Sequence, residues 1–437
     1  VGSTAEAKDE GVVSSCALND PYDVWYSFVP ESNALFMINL TDSDFDTTLA
    51  VYEGCGGPQV ACNDEASCRE FESSTLTVAM LAGTEYFIRV AGWNGSRGNF
   101  SVLIFDTENA FVPIEIDSIE ELQLIGNDPG YPLDGTYVLT QDIDASATKT
   151  WNGGQGFMPI APDTAPKTSG YQGTPFSGFF SGQGHVIRNL YINRPITDYV
   201  GLFGRIVSSD PDFQCGGVTK LRIEGGAVTG RELVGTLAGE NADSNTITHC
   251  SATGAVVGTN TVGGLIGRNG SDGWVDDCHA AVSVSGDTAV GGLVGQNDYG
   301  VINCYTTGTV TGDMDVGGLV GLNNGGAGGC YAMGRVTGDT NVGGLAGQNL
   351  WSIDCYATGT VTGWTNVGGV AGNNVQGGEV DACYATGAVK GEMTVGGLVG
   401  SNTGEVMACY ATGAVTGGSN VSVVLGPLVG LNDGIVS

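Results

Sequence analysis

Val290-Gly291-Gly292-Leu293-Val294-Gly295, followed by Gln296-Asn297, decides the fold of this chain. The phrase returns at 262–267, 316–321, 342–347, 367–372 and 395–400, with successive starts 25 to 28 residues apart. A weaker copy lies at 234–239 and an altered one at 425–430. Each copy is followed by an asparagine: Asn241, Asn269, Asn297, Asn323, Asn349, Asn374, Asn402 and Asn432. Between copies runs Cys-Tyr-Ala-Thr-Gly-x-Val-Thr-Gly, clearest at 355–363 and 409–417. Self-similarity at one period is the mark of a repeat architecture.

A helical repeat is excluded by composition. Each of the several glycines per period would cost a helix about 1 kcal/mol. Short strands turning at glycine corners fit instead, so one repeat makes one coil of a right-handed parallel β-helix. Coils of about 26 residues then stack at the inter-strand spacing of about 4.8 Å. In-register stacking turns each repeated residue into a column. Leu237, Leu265, Leu293, Leu319, Leu345, Val370, Leu398 and Leu428 form an apolar inner column. Asn269, Asn297, Asn323, Asn349, Asn374 and Asn402 form a structural ladder, bonded amide to amide from coil to coil.

Strand alternation fixes the neighbouring columns. Cys250, Cys278, Cys304, Cys330, Cys355, Cys383 and Cys409 share a face with apolar residues, and Leu221 fills their place one coil earlier. They are expected as buried thiols, because parallel stacked side chains give poor disulfide torsions. Tyr305, Tyr331, Tyr356, Tyr384 and Tyr410 then point outward as an aromatic contact strip, with Ser251 and His279 interrupting it at its start. The strip either stiffens its face or meets sugar rings or a neighbouring subunit.

The phrase structure resembles the GLUG-motif repeat of bacterial surface proteins and some secreted proteases. It governs residues 207–437. Before it, residues 109–206 read as a transition: Ile119-Glu120-Glu121-Leu122-Gln123-Leu124-Ile125 has helical spacing and is expected to cap the solenoid, followed by irregular first turns.

Residues 1–108 read as a separate all-β domain. Strand signals at Val24 to Val29, Ala34 to Leu40, Thr48 to Tyr52, Ser74 to Met80, Tyr86 to Ala91 and Asn99 to Phe105 alternate with turn residues. Asp23-Val24-Trp25-Tyr26-Ser27-Phe28, Phe45-Asp46-Thr47-Thr48-Leu49-Ala50-Val51-Tyr52 and Leu81 to Val90 resemble the pre-peptidase C-terminal (PPC) family. The resemblance implies a jelly-roll-like β-sandwich attached to secreted proteins, sometimes binding calcium or an extracellular polymer. Asp42, Asp44 and Asp46 on one loop and Asn63, Asp64 and Glu65 on another are a candidate Ca²⁺ ligand set. Four cysteines here allow three pairings, of which Cys55–Cys62 with Cys16–Cys68 is preferred.

The bulk numbers narrow the function. A net charge of −32 over 437 residues argues against nucleic acid and anionic lipid as partners. No stretch has the length of a membrane span. His185, His249 and His279 accompany no nucleophile motif, and the basic residues after position 230 (Arg231, Arg268, Arg335, Lys390) do not cluster as a lyase would need. Asn39, Asn94, Asn99, Asn269 and Asn420 open glycosylation sequons. The start at Val1 rather than Met is that of a processed or trimmed chain, compatible with secretion, and the end at Ser437 falls mid-repeat without a polar cap.

The expectation is therefore a non-catalytic, secreted or cell-surface structural or adhesive protein. Its partners would be copies of itself, joined head to tail into an extracellular filament through the last coil and the N-terminal domain, or a polysaccharide or neighbouring cell surface. The alternative is a polysaccharide-binding accessory region of a larger secreted hydrolase.

Overall fold

The computed structural model describes residues 2–4, 7, 22–40, 43, 45–54, 57–63, 74–92, 95–106, 113–165, 170–208, 217–243, 245–418 and 424–437. Two compact units divide the chain, one comprising Val1–Pro113 and the other beginning at Ile114. Both are built of strands.

The first unit is a β-sandwich. Asp23–Phe28, Tyr86–Gly92, Thr47–Glu53 and Gln59–Asn63 form one antiparallel sheet in that order. Thr75–Met80, Ala34–Asn39 and Leu103–Asp106 form the other. Ile38, Leu49, Val51, Met80, Ile88, Val90 and Phe100 pack between them. Arg89 and Asp23 form a fully buried ion pair at 2.7 Å. Such a pair is costly to break from one side, since the survivor is left charged in the core.

The second unit is a parallel β-solenoid. One coil illustrates the rest. Gly300–Ile302, Tyr305–Thr306 and Val310–Thr311 lie in a long sheet that runs the length of the unit. Met314–Gly317 turns into a second sheet and Val320–Asn323 into a third, before the chain climbs to the next coil. Every strand pairs in parallel with its equivalent one coil away: Val290↔Val316, Asn297↔Asn323 and Tyr305↔Tyr331 are in register. The solenoid core is continuous from Ile116 to Val406.

Unequal repeats keep this register by placing length differences in turns. In most coils a left-handed residue precedes the cysteine: His249, Asp277, Asn303, Gly329, Ala382 and Ala408 all have φ between 46° and 64°. The coil of Cys355 lacks this residue. Its strand runs unbroken over Ser352–Ala357, and the register shifts past Gly329 to pair Cys330 with Cys355.

The long sheet begins at Ile114–Ile116, well before the repeat is recognisable. A helix follows over Ile119–Leu124, where the sequence predicts one. The Ser118 hydroxyl accepts from the Glu121 N–H at 3.4 Å, and the Glu121 carboxylate accepts from the Asp117 N–H at 2.9 Å. This reciprocal arrangement is close to a capping box. Ile119, Leu122 and Ile125 are buried in the core of the first coils. No helix of the described residues is long and apolar enough to cross a membrane.

Candidate functional site

In each coil the strand of the third sheet carries the asparagine column. Hydrogen bonds from Nδ2 to Oδ1 run Asn241→Asn269, Asn269→Asn297, Asn297→Asn323 and Asn323→Asn349 at 2.9 Å. They continue Asn349→Asn374, Asn374→Asn402 and Asn402→Asn432 at 2.8 Å. Asn241 through Asn402 in this column are fully buried. The same Nδ2 groups also bond turn carbonyls, such as Gly273 and Gly300 from Asn269. The column therefore ties each coil to the next and closes a turn at once. With its donors and acceptors so used, it is not a ligand surface. Asn269 has no room for a glycan, so its sequon is structural.

The leucine column is buried from Leu237 to Leu398, with Leu428 packed against it. The seven cysteines of the neighbouring column are free thiols, buried except at Cys409. Each sulfur lies between coils. The Cys278 N–H donates to Cys304 Sγ at 3.4 Å, and that thiol faces the Ile302 and Val275 carbonyls. Burial pushes the Cys278 thiol well above its ordinary pKa. A neutral, inaccessible thiol is a packing residue rather than a nucleophile.

The outward column is an aromatic stack. Ring centroids of Tyr305–Tyr331, Tyr331–Tyr356, Tyr356–Tyr384 and Tyr384–Tyr410 lie 4.9, 5.1, 4.7 and 5.1 Å apart. Their planes are within 8° of parallel. His279 extends the stack instead of interrupting it, lying 4.7 Å from Tyr305 at 2°. An imidazole is flat and aromatic, so it takes the ring's place. Because ring faces cover one another, the strip offers solvent its edges and hydroxyls. Tyr410 is 53% exposed and the other four tyrosines are half-buried.

A charged column on the third sheet gives no signal in the repeat phrase. Arg205 and Glu240 occupy paired positions, as do Glu240 and Arg268. Glu240 sits between the two guanidinium groups at 3.0 and 3.3 Å, and Arg268 reaches on to Asp298 at 2.6 Å. Burial raises the Glu240 pKa, and the two arginines oppose that rise. Alternating signs at equal heights would have been the signal. In the later repeats the same position holds Gln296, Leu322 and Gln348, so the column is hidden by the majority pattern.

Of the candidate calcium ligands, Asp46 and Asn63 lie among the described residues, and Asp42, Asp44, Asp64 and Glu65 lie outside them. Among the described residues no group of three or more His, Cys, Asp or Glu could hold a metal ion. Cys62 is disulfide-bonded, and Cys16, Cys55 and Cys68 lie outside the described residues. His185 and His249 approach Asp142 and Asp277 at 3.4 and 3.2 Å on exposed surface.

Comparison with known proteins matches both units. Residues 3–104 match a T9SS-associated galactose-binding-domain-like family. The PPC assignment of this unit thus rests on the quoted residues alone. The GLUG motif matches residues 286–311 and 391–416, each the length of one coil. Halomucin of Haloquadratum walsbyi is 35% identical over 238 residues, covering 50% of this chain. The chain spans about 2% of the length of that relative. These likenesses fit a structural protein that is secreted or held at a surface. The chain therefore carries GLUG-motif repeats wound into a parallel β-solenoid and, ahead of them, a β-sandwich similar to galactose-binding domains.

Proposed function

We propose that this chain is a non-catalytic structural and adhesive element of an extracellular surface. One observation carries the reading: the repeated Asn, Leu and Cys side chains are buried and spent on contacts between neighbouring coils. The Asn, Leu and Cys columns hold the solenoid together from its interior. Repetition here multiplies a scaffold, as in other solenoids, where neighbours bury a common core. Antibody labelling of intact cells of the source organism tests this. Surface labelling is expected, and a signal only after cell lysis would sink the reading.

Head-to-tail association of copies is the finer part of the proposal. Its support is the self-complementarity of the coils, which all bind their neighbours in one parallel register. Electron microscopy of the concentrated protein should show linear assemblies. Monomers alone at every concentration, with and without calcium, would remove this part.

A second reading is favoured by the match over residues 3–104. In it, the sandwich binds a galactose-containing polymer, and the solenoid displays it. The full chain should be retained on agarose beads and released by free galactose. Passage straight through agarose and other galactans alike would count decisively against it.

A further inference from the structure

We propose that the column Tyr305, Tyr331, Tyr356, Tyr384 and Tyr410 is an oxidative cross-linking site, at which neighbouring coils become joined by dityrosine bonds. Three features of the column meet the needs of that chemistry. Adjacent rings are near-parallel and 4.7 to 5.1 Å apart, so the ortho carbons of one phenol face those of the next. The rings stand on the outer face, with Tyr410 exposed and the others half-buried, so a soluble oxidant reaches their edges. Their pairing is fixed by backbone register, as at Tyr305↔Tyr331, Tyr331↔Tyr356 and Tyr384↔Tyr410.

The step balances with a peroxide as oxidant. Each of two phenols loses one electron and one proton to give a phenoxyl radical. The radicals couple through an ortho carbon–carbon bond, and the two displaced ring hydrogens return to the phenol oxygens by tautomerisation. One hydrogen peroxide takes up the two electrons and two protons and becomes two waters. The stack also keeps a radical within the column, because an oxidised ring passes its vacancy most readily to the like ring stacked on it.

The rest of the chain sharpens the assignment. The cysteines of the neighbouring column, which usually take the first oxidation, are buried behind the same strands except for Cys409, which is half-buried. Tyr171 and Tyr199 are also close, at 5.1 Å, but meet edge to face at 72°. The Tyr171 hydroxyl is further held by the Ala161 and Thr174 carbonyls. That pair serves as an internal control. His279 ends the column at one side, since imidazole cannot form the dityrosine bond. The column thus holds four neighbouring phenol pairs, each bond of which would staple one coil to the next.

The test uses the full chain at low concentration with peroxidase and hydrogen peroxide. Dityrosine fluorescence should appear without higher oligomers, and cross-linked peptides should join neighbours within the column. The variant Tyr331→Phe with Tyr384→Phe keeps the ring stack but separates the remaining phenols by a full coil. It should lose most of the intramolecular dityrosine while retaining the wild-type circular dichroism. A wild type without dityrosine, links mapping chiefly to Tyr171–Tyr199 or between molecules, or an undiminished yield in the folded double variant would each overturn the proposal.

Discussion

The first coils of the solenoid and the repeated coils obey one backbone plan and fill it differently. Phe203 begins a strand that pairs with Ala238, and the same position is Ile266, Val294, Val320, Ala346, Ala371 and Val399 in later coils. Phe203 packs with Phe176 and Phe180, and Phe180 with Tyr137, in an aromatic core. In the same way Ile206 stands where Asn241 and all later coils have asparagine. The early coils are irregular and close with large apolar rings. The later ones are regular and close with stacked amides and small aliphatic groups. Regularity is what makes the amide ladder possible, because an Asn pairs well only with an Asn at its own height.

The comparison breaks first at what both halves share. A Cβ on Gly204 would lie 2.2 Å from the Ala161 carbonyl oxygen. One on Gly321 would lie 2.4 Å from the backbone of Ala289 and Val290 in the preceding coil. Gly204→Ala and Gly321→Ala are each expected to abolish the cooperative thermal transition of the solenoid, followed by circular dichroism. A wild-type transition in either would refute the shared close approach.

Phe203→Ala comes next, with a loss of about 3–5 kcal/mol from the cavity it leaves. Val320→Ala in the same column should cost about 2 kcal/mol, since two buried methylene equivalents go. Denaturant unfolding of the two variants measures the contrast, and equal losses would erase the distinction between the two cores.

The ladder itself offers a position test. Asn323→Leu leaves Asn349 Oδ1 without its donor and Asn297 Nδ2 with the Gly326 carbonyl alone. Asn241 is the first rung, and no described group donates to its Oδ1. Asn241→Leu therefore strands one acceptor and extends the pattern of Ile206. The interior change should cost about 2 kcal/mol and the first-rung change about 1 kcal/mol, because two buried groups lose a partner in the first and one in the second, each costing on the order of 1 kcal/mol. Hydrogen exchange of the flanking coils reads both.

The smallest effect belongs to the outer face. Tyr356→Ala removes two stacking contacts and should cost about 1 kcal/mol. The same experiment should leave the amide protection of the Asn column unchanged.

Much of this was legible in the chain itself. The repeat phrase predicts strands, coil length and which residues share a column, and the Ile119 to Ile125 pattern predicts the helix. These are short-range properties, set by glycine spacing, alternation and period. Other features escaped the phrase. The strands from Ile114 onward belong to the same long sheet, yet their large, unequal insertions conceal the period. His279 reads as an interruption because its letter differs, although its ring is flat enough to stack. The charged column of Arg205, Glu240 and Arg268 lies in the least repeated position.

The sequence by itself determined that coils form and which residues recur at equal heights, because periodicity is a property of the chain. The tertiary structure decided what each column does. Whether an asparagine is a buried rung or a glycan acceptor, and whether a tyrosine presents its face or its edge, depends on the residue one coil away. That neighbour lies 25 to 30 residues off in the chain and one inter-strand spacing off in space, and only folding brings the two together.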